Sequence, residues 1–153
     1  MSMIETKLTE MGVTLPDAPA PAANYVPFVQ TGNQVWVSGQ ISQGPDGLMV
    51  GKLGDGVDID TGAAAAKACA ISLLAQLKKA CGGDLDRLVR VVKLVGMVNC
   101  TPDFTDQPKV INGASDFLVA ALGAKGHHAR SAVGVAGLPM GVMVEIEAVF
   151  EIA

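Results

Sequence analysis

Residues 129–152, ARSAVGVAGLPMGVMVEIEAVFEI, decide the fold. They read as two strands joined by a short Leu138-Pro139-Met140-Gly141 turn, a hairpin. On the first strand Arg130, Ala132, Gly134 and Ala136 share one face, and Val133 and Val135 share the other. The second alternates more cleanly, with Val144, Ile146, Ala148, Phe150 and Ile152 against Glu145, Glu147 and Glu151. A guanidinium and a carboxylate set into apolar strands are costly to bury, and together they can grip and polarise a small anionic ligand.

Moving towards the N-terminus, the spacing predicts a helix over 105–122. Pro108 falls in its first turn, Val110, Ile111, Ala114, Phe117, Leu118 and Ala121 form its buried face, and Gly123 stops it. Arg90–Asn99 predicts a strand with Val92, Leu94, Val98 and Cys100 on one face and Val91, Val95 and Met97 on the other. A strand apolar on both faces must be covered twice. The longest helix runs from Asp60 or Thr61 to Ala80, with a stripe of Ala70, Leu73, Leu74, Leu77 and Cys81, and with Ser72, Gln76 and Lys79 opposite. Gly82-Gly83 ends it.

Residues 44–58 are rich in Gly and Asp and predict turns around a short strand near Leu48–Val50. No Gly-Lys-Ser/Thr marks a phosphate loop there. Tyr25–Gln30 and Gln34–Gly39 predict a hairpin turned at Thr31-Gly32-Asn33. A helix over 3–11 follows from the capping-box spacing of Ser2 and Glu5 and from Ile4, Leu8 and Met11 on one face. Pro16–Pro21 connects it to the rest. The fold class is therefore α+β, a mixed sheet with two long helices on one face. The sheet's second apolar face must meet another subunit, which predicts an oligomer.

At 153 residues the chain suits one compact domain, 1–153, in which 1–21 form the opening helix and connector. A net charge of -4 and only 11 scattered Lys and Arg argue against nucleic-acid binding, and 4% aromatic residues leave few stacking platforms. Cys69, Cys81 and Cys100 lack motif spacing and read as reduced, buried thiols of a cytoplasmic protein. His127 and His128 read as a solvated loop, and no metal site is expected. The first residues, MSMIETKLTEMG, have no apolar signal region, and no membrane span is expected.

Tyr25, the Val37-Ser38-Gly39-Gln40 run, Asn112, and the terminal Arg130, Leu-Pro turn and Val-Glu-Ile-Glu strand together resemble the RidA/YjgF family of reactive-intermediate (imine) deaminases. The family once carried the label endoribonuclease L-PSP. The resemblance covers residues 22–153 and suggests a longer-chain branch. It implies a chorismate-mutase-like homotrimer with ligand pockets between subunits. It also implies cofactor-free hydrolysis of 2-imino or 2-enamino acids to 2-oxo acids and ammonia. Arg130 would then hold the substrate carboxylate through a bidentate fork, and Glu145 would handle the water or the leaving amine. Tyr25, Ser38 and Asn112 would line the pocket, and Gly39 would admit close backbone approach. Ala132 stands where typical members have Cys, and only its backbone groups can replace the Cys there.

Two other functions compete. A trimer that binds a small carboxylate without turning it over fits the Ala132 departure. A ribonuclease rests on the older label alone, and the acidic balance and the absence of a spaced His pair count against it.

Overall fold

The computed structural model describes residues 1–21 and 23–153. Its centre is a five-stranded mixed sheet in the order β1-β2-β9-β7-β8, built from β1 (Phe28–Thr31), β2 (Gln34–Ile41), β7 (Leu88–Asn99), β8 (Ala129–Val135) and β9 (Val144–Ile152). Two short ribbons lie between β2 and the first long helix. One pairs β3 (Gln43–Gly44) with β4 (Gly47–Leu48), and the other pairs β5 (Lys52–Leu53) with β6 (Gly56–Val57). The three helices are α1 (Met3–Glu10), α2 (Ile59–Ala80) and α3 (Gln107–Leu122).

Alternation in β9 places Val144, Ile146, Ala148, Phe150 and Ile152 against the helices, and all are buried. Cross-strand pairing sorts the other strands by face. Val35, Phe150 and Val91 form one row under α2 and α3, and Val37, Ala148, Leu94 and Arg130 form the next. The opposite face carries Val29, Trp36, Val149 and Lys93 in one row and Ile41, Glu145, Met97 and Val133 in another. Both long helices cover the first face only. Trp36, Val29 and Val133 on the second are exposed.

The helices obey their local signals. Asp58 caps α2 by accepting from the Thr61 backbone N–H at 2.8 Å, and Gly123 ends α3 at φ 62°. Ser2 and Glu5 form the predicted capping box of α1. Buried Ile4 and Leu8 tie α1 to the core, Leu8 contributing about 2 kcal/mol. The Asp86 carboxylate accepts from the backbone N–H groups of Met3 and Ile4, and Lys78 pairs with Glu5.

Several expectations are corrected. The terminal stretch is not a hairpin: β7 lies between β8 and β9, parallel to the first and antiparallel to the second. The connector over 136–143, with a 3₁₀ turn at Pro139–Gly141, is long enough to step across the end of β7. Centred between β2 and β7, β9 satisfies both of its edges, which a hairpin partner alone would not do.

The strand expected from Tyr25 begins at Phe28. In β7 it is Val91, not Val92, that joins Leu94 and Val98 in the core. Val91 opposes Phe150 and Lys93 opposes Val149, so a bulge inserts Val92 and resets the alternation. Ser72 and Gln76, expected on the exposed side of α2, are buried. The proline-rich connector covers them, and the Gln76 side-chain amide donates to the Pro19 carbonyl at 2.7 Å. A helix covered on two sides does not announce its second partner through periodicity.

Candidate functional site

Another bulge lies in β2. Val37 opposes Ala148 and Gln40 opposes Ile146, so three steps on β2 span two on β9. Val37 and Gln40 both turn inward, and Ser38 and Gly39 occupy the extra space. Glu145 on β9 reaches across this point. A Cβ on Gly39 would overlap the Glu145 carboxylate, so only glycine leaves that carboxylate its place.

Glu145 and Gly39 line a cavity of about 120 Å³ with Tyr25, Pro27, Ile41 and Met140. Pro19, Ala20 and Pro21 of the connector close one side. The space is of the order of four waters at about 30 Å³ each, the scale of an acid of a few carbons. Burial, and then the neighbouring charge of Glu147, raise the Glu145 carboxyl above its ordinary value of 4.5. A carboxyl shifted that way both takes and returns a proton closer to neutrality. Ser38 does not line the cavity. Its hydroxyl donates to the Val26 carbonyl at 2.7 Å and its backbone N–H donates to Pro27, which fixes the segment carrying Tyr25.

Arg130 sits elsewhere. On edge strand β8 it lies opposite Leu94 and faces α3, donating through Nη1 to Ser115 Oγ at 3.0 Å and through Nη2 to the Pro108 carbonyl at 3.2 Å. Among the described residues its three other N–H groups have no hydrogen-bond partner. Asn112 is exposed on α3, between Pro108 and Ser115 at helical spacing. Ala132 follows Arg130 on the same face and packs against the core. The structure thus forms two groups, Glu145 with Gly39 and Tyr25, and Arg130 with Asn112 and Ala132. Within one chain they lie on opposite faces of the sheet.

The family model described as "YjgF/chorismate mutase-like, putative endoribonuclease" matches residues 5–151. The chain belongs to the YjgF family. Protein TCP17 of Trypanosoma cruzi is 47% identical over 151 residues, covering 97% of this chain and 94% of that one. The crystal structure of Atu1372 from Agrobacterium tumefaciens, described as of unknown function, shares 46% identity at a TM-score of 0.90, covering 98% of this chain and 94% of that one. The crystal structure of RidA from an Antarctic Psychrobacter shares 31% identity at a TM-score of 0.62, covering 89% of this chain and 94% of that one. With a mixed sheet and three helices, the chain has the α+β architecture that YjgF membership implies. Among the described residues no helix is long and apolar enough to cross a membrane.

Three features of this YjgF chain escaped the sequence reading. Pro19–Pro21 form a cavity wall, Met140 adds to it, and Ser115 bonds the arginine with His128 behind it. His128 is not in a solvated loop: it is half-buried, with Nδ1 2.6 Å from the Gly126 carbonyl and Nε2 2.9 Å from Ser115 Oγ. Strand alternation offered the signal, since His128, Arg130 and Ala132 fall on one face. Ser115, three residues beyond Asn112, shares the face of α3 that meets them.

Two predictions arise at these positions. Gly39 has no positive φ, so Gly39→Ala is tolerated by the backbone and displaces only the flexible end of Glu145. Turnover should fall about 10- to 100-fold with little change in melting temperature. Full activity in the variant would sink this account of Gly39.

The second concerns acid stability. Burial, and then the positive charge of Arg130, hold the His128 imidazole below its ordinary 6.5, against the opposing hydrogen bond to the Gly126 carbonyl. α3 presents it only the neutral Ser115 as a hydrogen-bond partner, and Arg90 reaches the His127 carbonyl on its far side. Below 6.5 the unfolded chain binds a proton that the folded chain refuses. This stability is therefore present above 6.5 and lost as pH falls towards the depressed value. Melting temperature should drop through that window in the wild type and drop less in His128→Gln. Parallel curves would remove His128 as the cause.

Proposed function

We propose that this protein hydrolyses small reactive 2-imino or 2-enamino acids to 2-oxo acids and ammonia, without a cofactor, in sites shared between copies of a cytoplasmic homotrimer. The observation that carries the reading is the small cavity ending on Glu145, together with an edge-strand arginine that keeps N–H donors for a carboxylate. Water adds to the carbon of the protonated imine as Glu145 takes one of the water's protons, which leaves a neutral carbinolamine. Glu145 returns that proton to the amine, the C–N bond breaks to release ammonia, and the remaining hydroxyl gives its proton back to the Glu145 carboxylate as the carbonyl forms. That proton leaves with ammonia as ammonium. Arg130 holds the substrate carboxylate as a planar fork and so fixes the imine carbon beside the water.

The separation of the two groups within one chain supports a shared site. Arg130 and Glu145 face opposite sides of one sheet, so a substrate touching both must lie between two copies. The exposed Trp36, Val29 and Val133 suit burial against a neighbour. Sedimentation should give about three times 15.6 kDa.

Ala132 favours one second reading, a trimer that binds a small carboxylate without turnover. Release of ammonia and 2-oxo acid from freshly generated 2-iminobutyrate decides between the two. A rate no faster than buffer, with retained binding of 2-oxobutyrate, would replace the deaminase by the binding trimer.

A further inference from the structure

The hydrogen bonds behind Arg130 form a chain whose direction is fixed at one end. The Gly126 carbonyl only accepts, so the imidazole nitrogen 2.6 Å from it, Nδ1, must carry the proton. In the neutral ring Nε2 is then an acceptor, and the Ser115 hydroxyl 2.9 Å away must donate to it. With its hydrogen committed, Ser115 Oγ offers lone pairs to Arg130 Nη1 at 3.0 Å. The Pro108 carbonyl takes one N–H of Nη2 at 3.2 Å. The guanidinium is held at two corners by groups that cannot reverse roles. We propose that Ser115 and His128 are positioning residues for Arg130, setting the plane in which its remaining N–H groups meet a ligand carboxylate.

This rests on reading Arg130 as the carboxylate anchor. It adds two residues on different segments, Ser115 in the middle of α3 and His128 immediately before β8, that act only through the arginine. Protonating the imidazole would turn Nε2 into a donor. Ser115 would then face donors on both sides, and the chain would be broken. The burial that keeps His128 neutral is consistent with the neutral chain. An arginine on an edge strand, half-exposed and tethered only by its own flexible stem, would otherwise sample many rotamers. Each would have to be given up on binding.

The experiment measures KM and kcat on 2-iminobutyrate, calorimetric binding of 2-oxobutyrate, melting temperature and the ¹⁵N spectrum of His128. Ser115→Ala is expected to raise KM and weaken 2-oxobutyrate binding about 5- to 20-fold with a smaller change in kcat. Ser115→Thr, which keeps the hydroxyl, should restore both, and His128→Gln should rescue more than His128→Leu. The spectrum should show a neutral ring protonated on Nδ1. Unchanged ligand affinity in folded Ser115→Ala, or a ring protonated on Nε2, would overturn the proposal. Arg130→Ala separates the two failures. If it abolishes binding while Ser115→Ala does not, the positioning role alone falls. If it too leaves binding intact, the anchor reading falls and takes the positioning role with it.

Discussion

Replacing Arg130 by Ala is expected to lower kcat/KM for 2-imino acids by about 10²- to 10⁴-fold, with little loss of fold. Hydrogen bonds to a charged group contribute about 1.5–3 kcal/mol each, and a bidentate fork makes two. The side chain is half-exposed at the edge of β8, where its loss leaves one serine hydroxyl and one carbonyl to water. Arg130→Lys should recover little, because an ammonium cannot offer two parallel donors in a plane.

The shared-site geometry supplies a sharper form of the same result. On the proposed function, Arg130→Ala and Glu145→Gln should each be inactive alone, and refolding them together in equal amounts should make mixed oligomers. A site that takes its arginine from one copy and its carboxylate from the next is intact in about a quarter of random pairings. Activity should therefore return to roughly that fraction of the wild type. No recovery in demonstrably mixed oligomers would mean that both groups act within one chain, against the placement on opposite faces.

Gly113→Ala is expected to be the most damaging single-methyl change to stability. Gly113 lies in α3 where that helix crosses α2, and a Cβ there would overlap the Ala63 backbone carbonyl. The opposing terms can be weighed. Alanine in place of a helical glycine returns about 1 kcal/mol of propensity. Overpacking a close contact costs about 1–3 kcal/mol, and more where the obstacle is backbone that no rotamer change can move. The clash wins, by about 2 kcal/mol, which is a fall in melting temperature of about 4–8 °C for a chain of this size. A melting temperature at or above the wild type would show that the helices separate without cost.

The sequence made most of the local structure legible, because single elements follow from caps and periodicity. Ser2 with Glu5, the Val110–Ala121 face of α3 and the alternation of β9 each state their own conformation. What it could not show were relations between elements. Leu-Pro-Met-Gly is an adequate hairpin turn, and nothing local reveals that β7 takes the position between β8 and β9. Bulges are equally silent: Val91 and Val92 are the same residue, and only the pairing with Phe150 and Val149 decides which turns inward.

The candidate site divides the same way. Arg130 and Glu145 stood out because charge in an apolar strand is expensive. Yet their separation by the sheet depends on a register that the motif does not contain. His128 and Ser115 were missed because each is ordinary in its own segment, and their meaning lies in facing one arginine.

The position of β9 has a consequence for the order of events on the ribosome. It pairs with both β2 and β7 and supplies Val144, Ile146 and Phe150 to the interior, yet it comes last of the five strands in the sequence. Until it emerges, the hairpin of β1 and β2 has no sheet to join, and β7 has only β8 beside it. The nascent chain therefore carries two long amphipathic helices with no complete surface to cover. Closure waits for residues near 152 to clear the exit tunnel, and until then the apolar faces of α2 and α3 stay exposed to non-native association.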